Sequence, residues 1–195
     1  MPISGHEESP AERLNTLFAK QANDATPTQR LSVRDWQGKD ERFYREVQRA
    51  AQNQTASARA YDVMDDLQDL MAELPEEVQV WRGIRNIDAA LGVPNDRLES
   101  LIDLDRDIPM FFATSLDRNV AETEFTTPGL RPAVYKIHAQ SGTPALWVPP
   151  LGLQSDAYQQ ELLFPPGIVM RIVGVARAYS VPIVEVEVRD GEVGR

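Results

Sequence analysis

Gln159-Gln160-Glu161-Leu162-Leu163-Phe164-Pro165-Pro166-Gly167 is the stretch on which the fold turns. A short apolar run closed by two prolines and a glycine predicts a strand over Glu161 to Phe164, with a carboxylate at its head. Similar runs lie on both sides of it. Upstream, Val78 to Trp81, Met110 to Ser115, Ala133 to His138 and Ala145 to Val148 read as strands by β-branched and aromatic content. Downstream, Ile168 to Val175 and Pro182 to Val188 end the series, the last with strict alternation.

Helices come before the strands. Ser9-Pro10-Ala11-Glu12 is a capping box with proline at the first helical position, predicting a helix to about Ala22. Asn23 to Gly38 is polar and turn-rich. A second helix is predicted from Asp40 to about Asn53 and a third from Ser57 to Leu74, where apolar residues keep helical spacing until Pro75. Shorter helical pieces are expected near Pro94 to Ile102 and over Asp117 to Phe125. This order argues an α+β fold rather than alternating βαβ units. It places an N-terminal helical lobe before a mixed, mainly antiparallel β core. Residues 1–56 read as the helical part of the same domain and residues 57–195 as the core, since 195 residues suit one buried core better than two.

Composition removes several classes of function. There is no cysteine, and His6 and His138 are the only imidazoles, so thiolate zinc sites and most histidine-based metal clusters are excluded and no metal is expected. The glycines form neither the Gly-x-Gly-x-x-Gly turn of a βαβ dinucleotide site nor a phosphate loop, and no Gly-x-Ser-x-Gly elbow is present. No segment approaches the apolar length of a membrane span. The N-terminus has no secretion signal, so the expected location is the cytoplasm or a target reached by a specialised secretion system or a phage. Thirty acidic against 20 basic residues give a net charge of −10, most of it before residue 110. The base-free acidic run from Asp62 to Glu77 opposes binding to phosphate backbones.

Three segments remain: Val80-Trp81-Arg82-Gly83 at a strand end, Phe111-Phe112-Ala113-Thr114-Ser115 on a second strand, and Gln159 to Gly167 opening a third. In order and spacing they resemble the arginine, serine and glutamate motifs of bacterial-toxin mono-ADP-ribosyltransferases, such as the Rho-modifying clostridial exoenzymes and the actin-modifying toxins. The likeness covers roughly residues 57 to 177. It implies that the chain uses NAD as a substrate, releasing nicotinamide and passing ADP-ribose to a macromolecule. Glu161 would then be the carboxylate that stabilises the oxocarbenium-like state, and Arg82 a guanidinium fork on the pyrophosphate, with Gly83 allowing close approach. The resemblance further implies Thr114, Phe125 and Arg131 at the NAD site, Phe125 beneath nicotinamide and Arg131 on phosphate from the Pro128-Gly129-Leu130-Arg131-Pro132 loop.

One position departs from the pattern. The family's first serine on the second strand supports the glutamate, and here it is Ala113, so Ser115, on the same strand face, is expected to take over. Gln159, two residues before Glu161, is expected to choose the acceptor. The family has glutamate there for arginine acceptors and glutamine for amides or bases, so a protein side chain other than arginine is favoured over nucleic acid. A host or competitor-cell target and a cognate inhibitor are the partners such a toxin would meet. NAD hydrolysis and an NAD-binding pseudoenzyme are the alternatives.

Overall fold

Trp36 and Val33, in a stretch that reads as polar turn, are nearly inaccessible to solvent, because that stretch is a helix. The computed structural model describes residues 8–38, 40–126, 129–177 and 181–191. His6 of the N-terminal tail and Pro128 of the loop before Arg131 lie outside them. Helix α1 (Pro10–Leu17) starts at the expected capping box, and α2 (Ala19–Asp24) follows after a break at Phe18. Helix α3 (Pro27–Gln37) has the same start signal, a Thr26–Gln29 capping box with proline at the first turn. Polar composition hides it, yet Val33 and Trp36 sit three apart on one buried face. Helices α4 (Glu41–Ala51) and α5 (Ala58–Asp69) follow, capped by Asp40 and Ser57. Helix α5 ends before Leu74 because the chain enters strand β1 (Ala72–Glu73), which pairs with the sheet. Its Asp62, Asp65 and Asp69 are exposed, whereas Asp66 accepts a hydrogen bond from the buried Ser32 hydroxyl.

The remaining elements are β2 (Val78–Ile84), α6 (Ile87–Leu91), a 3-10 helix (Asn95–Leu101), β3 (Asp105–Ile108), β4 (Phe112–Ser115), α7 (Arg118–Thr123), β5 (Ala133–Ala139), β6 (Pro144–Trp147), a second 3-10 helix (Gln154–Gln159), β7 (Glu161–Phe164), β8 (Ile168–Ala176) and β9 (Ile183–Arg189). Among the described residues nine strands form one sheet in the order β1-β6-β7-β4-β2-β5-β9-β8-β3. Only β5 and β9 run parallel; the other neighbours are antiparallel. The architecture is therefore α+β, with helices first and a mainly antiparallel sheet after them. Strand β3, too charged to read as a strand, is one edge of the sheet, opposite β1. Its Asp105 is held by Arg171 and Arg189, and such charges discourage further strand addition.

Two apolar clusters lie on opposite faces of the sheet. Val33, Trp36, Val47, Val63 and Leu67 of the helical lobe pack on Leu146, Val148 and Leu163, while Phe112, Leu162 and Phe164 join Tyr135, Ile137 and Val186 in the other cluster. Strand β7 is buried on both faces, which is why it reads as an unbroken apolar run after Glu161. The sheet is weakest between β2 and β4. There a single register pair, Trp81 opposite Ser115, joins two halves, whereas β2 and β5 pair along their whole length from Val78 to Ile84. Among the described residues no helix is long and apolar enough to cross a membrane.

Candidate active site

The register carries the site. Trp81 lies opposite Ser115, and Ser115 opposite Glu161, so the middle of β2, the end of β4 and the head of β7 line up where the sheet is nearly split. Arg82 is the next residue on β2. One arm of its guanidinium donates to the carbonyl of Ala113, which the short β2–β4 ladder leaves free. The guanidinium carbon lies 4.5 Å from the centre of the Phe112 ring, a cation–π contact. Arg82 Nε is buried and has no hydrogen-bond partner among the described residues. A buried donor without an acceptor is costly, and a phosphate oxygen of a dinucleotide would satisfy it.

Glu161 is 8% exposed. One carboxylate oxygen accepts from the Trp36 indole N–H at 2.9 Å, and the other from the Gln37 side-chain amide at 3.2 Å. Burial pushes its carboxyl above the ordinary carboxylate range. The two hydrogen bonds and the Arg82 charge pull it back, and Asp156 adds to the rise.

Ser115 does not hold this carboxylate, contrary to the expectation from strand geometry. Its hydroxyl donates to the Gln159 carbonyl at 2.6 Å and accepts from the Asp117 amide at 2.9 Å, fastening the end of β4 to the turn before β7. Thr114 is buried, with its hydroxyl donating to the Leu162 carbonyl at 2.6 Å. Trp36 and Gln37 are invisible as site residues in the sequence because α3 itself is hidden there. A donor-only indole on a buried helix face is the one available signal, since such a group needs an acceptor.

Gly83 answers to packing. A Cβ there would stand 2.2 Å from the Ala121 carbonyl oxygen and 2.7 Å from Phe125 Cβ, so the close approach it permits is that of α7 and the residues after it. We expect Gly83→Ala to lower folding stability by about 1–3 kcal/mol or more. An unchanged midpoint in urea would show that α7 packs elsewhere. Helix α7 ends at Thr123, so the half-buried Phe125 lies beyond it and against Gly83.

Gln159 ends a 3-10 helix, and Gln160 adopts a left-handed conformation (φ 46°), so strand alternation does not relate Gln159 to Glu161. The Gln159 carbonyl is instead tied to Ser115, the register partner of Glu161. Tyr158 donates to the Glu124 carboxylate at 3.0 Å, linking this segment to the residues after α7. Arg131 is exposed beyond the far end of β2, ion-paired with Asp88 on α6 and bonded through its backbone to Arg85 and Ile87. The structure thus ties Ser115 to Gln159 and sets Glu161 opposite Ser115, leaves Arg82 acting on Glu161 through its charge while its side chain lies on Phe112 at the other face, packs Phe125 against Gly83, and sets Arg131 apart. Among the described residues no group of three or more histidine, cysteine, aspartate or glutamate side chains could hold a metal ion.

A helical lobe over one half of a nearly split sheet, with an arginine on β2 at the split and a glutamate on β7 one strand beyond it, is the fold seen in solved bacterial-toxin ADP-ribosyltransferases. Solved structures carry that assignment. The chain is similar to an ADP-ribosyltransferase from Clostridium botulinum, with 14% identity, TM-score 0.70 and coverage of 97% of this chain and 100% of that one. It is also similar to the Vis toxin of Vibrio splendidus in complex with agmatine, with 16% identity, TM-score 0.64 and coverage of 100% and 91%. A third is the ADP-ribosylating toxin BECa of a C. perfringens binary enterotoxin with NADH, with 12% identity, TM-score 0.68 and coverage of 91% of this chain and 47% of that one. No family model matches the sequence, and no curated protein does.

Proposed function

We propose that the chain transfers ADP-ribose from NAD to a protein side chain other than arginine, releasing nicotinamide. The observation that carries this reading is the buried Glu161 carboxylate at the head of β7, one strand from the split, with Arg82 on β2 across it and its Nε without a partner among the described residues. Breaking the bond between nicotinamide and the ribose C1′ builds positive charge on the sugar, and nicotinamide leaves with the electron pair. A carboxylate fixed in a poorly hydrated site stabilises that charge, most directly through the ribose 2′-hydroxyl. Arg82 holds the pyrophosphate, and Thr114, bonded to the Leu162 carbonyl, keeps β4 in register with β7. The acceptor's nucleophilic atom then bonds C1′ and loses a proton. BECa in complex with NADH supports a dinucleotide on this fold.

Gln159 carries the acceptor reading. Its amide can donate to and accept from an asparagine-type side chain but gives a guanidinium no charge partner. The exposed Asp62, Asp65 and Asp69 on α5 disfavour a nucleic-acid partner. Agmatine, bound by Vis, carries the guanidino group of arginine, so an arginine-type acceptor is the competing outcome. Incubation with labelled NAD and cell extract decides between them: label on a non-arginine protein side chain supports the proposal. ADP-ribosyl-arginine refutes the acceptor, and nicotinamide release without labelled macromolecules means NAD hydrolysis. Gln159→Glu is expected to depress transfer about tenfold or more while sparing NAD hydrolysis, since a charge replaces a neutral hydrogen-bonding amide. Equal transfer by both forms would remove Gln159 from acceptor selection.

A further inference from the structure

Trp36 and Gln37 close α3, far in sequence from every strand of the site, yet both donate to Glu161. The indole has a donor and no acceptor, so its buried N–H needs an oxygen such as the carboxylate offers. Its plane is set from two sides. The Tyr44 ring lies 4.8 Å away centre to centre and the Phe111 ring 5.5 Å away, nearly edge-on. Gln48 on α4 fixes Phe111 in turn, accepting from its amide and donating to its carbonyl, each at 2.9 Å, and also donates to the Tyr44 hydroxyl at 3.0 Å. Two helices of the lobe are thereby built around the direction of one indole N–H.

Gln37 is fixed differently. Its side-chain oxygen accepts from the Leu153 backbone amide at 2.8 Å, which leaves its NH2 group for Glu161. Only this orientation of the amide gives the backbone donor an acceptor and the carboxylate a donor. Gly152 makes room for it, since a Cβ there would stand 1.9 Å from the Gln37 side-chain oxygen and 2.8 Å from its amide carbon. Ala113, by contrast, has no hydroxyl to offer, and Ser115 and Thr114 spend theirs elsewhere.

We propose that Trp36 and Gln37 are the positioning residues of the Glu161 carboxylate, and that Gln37 makes its orientation depend on the loop at Gly152 and Leu153. The inference rests on Glu161 being the reacting carboxylate. Any movement of the loop that breaks the Leu153 bond frees Gln37 and lets the carboxylate turn. The charges acting on Glu161 besides these dipoles are Arg82 from β2 and Asp156 from the second 3-10 helix, and none of the variants below removes them.

The test uses Trp36→Phe, Gln37→Leu and Gly152→Ala, with NAD as the probe. Each of the first two deletes one donor to an ionised carboxylate, so the acid limb of the pH profile for nicotinamide release moves up by about one pH unit. The turnover number falls roughly tenfold or more, while KM for NAD stays within about twofold, because misorientation of a reacting group acts on the chemical step. Gly152→Ala pushes Gln37 aside without altering it and reproduces the Gln37→Leu profile. Direct titration of the Glu161 carboxyl by carbon NMR reads the same upward shift whether or not turnover is measurable. Folded variants with the wild-type acid limb and the wild-type carboxyl titration overturn the proposal, as does a loss of activity that only follows loss of folded protein. If Trp36→Phe does not fold, Gln37→Leu and Gly152→Ala decide alone. Normal turnover by Glu161→Gln would defeat the underlying reading; an inactive Glu161→Gln beside unaltered Trp36 and Gln37 variants defeats this inference only.

Discussion

Glu161→Gln is expected to leave a folded protein that still binds NAD but releases nicotinamide about 10²–10³-fold more slowly, the usual cost of deleting one fixed electrostatic stabiliser. The amide keeps the carboxylate's shape and can still accept from Trp36, but its NH2 then faces the Gln37 NH2, so the charge and the Gln37 bond are lost together. That charge matters little to ground-state NAD. It matters most as positive charge grows on the ribose, so turnover falls while affinity is largely kept. Isothermal titration with NAD and a nicotinamide-release assay on the same sample check the split. Equal losses in both, in a folded variant, would count against the role. The pH dependence of stability gives an independent reading. The folded-state pKa of Glu161 is raised above its unfolded value, first by burial. The native state then binds the proton more tightly, and this group's contribution is fully present below the unfolded value and lost as pH rises through the raised one. Glu99, held down to about 2 by Arg177, has the opposite sign: its contribution is present above the unfolded value and lost as pH falls toward 2. Subtracting the stability curve of Glu161→Gln from that of the wild type isolates Glu161. The difference should decline as pH rises through the raised value.

Where the sequence can be read and where it cannot follows from what each element depends on. Strands β4, β7 and β9 are legible because their apolar pattern is local, and the likeness of three short segments suffices to align Arg82, Ser115 and Glu161. Strand β3 is not legible: Asp105-Arg106-Asp107-Ile108 has no strand composition and exists because β8 offers it an edge. Helix α3 is legible in principle, since Thr26 and Gln29 repeat the signal of Ser9 and Glu12, but its polar neighbours outweigh the cap. With α3 go Trp36 and Gln37, whose contact with Glu161 spans more than 120 residues. The strand geometry assigned to Ser115 fails for a related reason. Facing the right way does not leave a hydroxyl free when a nearby carbonyl and amide claim it. Gln159 shows the limit of alternation, because one left-handed residue, Gln160, resets the direction of everything before it.

Arg82→Lys is the second large expectation, and its signature is the inverse of the first: NAD affinity falls by about 1–3 kcal/mol, roughly five- to 150-fold, while the turnover number of bound NAD changes less. Arg82 does three things at once. One arm donates to the Ala113 carbonyl, the planar face lies on Phe112, and Nε is buried without a partner among the described residues. A guanidinium can serve all three because its donors point in fixed and different directions. A lysine ammonium is a single point with no planar face. It can satisfy the Ala113 carbonyl or reach toward a phosphate, and it keeps the charge while losing the fork. The charge is also felt by Glu161 and by the buried Tyr135, whose hydroxyl burial pushes up to about 12 and which therefore stays neutral across the working range. Because lysine preserves that field, a change in NAD affinity reports the geometry of the donors rather than the local potential. Thermal unfolding of Arg82→Lys measures the share owed to the Ala113 and Phe112 contacts. Titration with NAD measures the share owed to the ligand. Loss of stability with unchanged affinity would make Arg82 a strut between β2 and β4 and place the pyrophosphate elsewhere. Loss of affinity beyond the stability change keeps the unspent Nε as the group that awaits NAD.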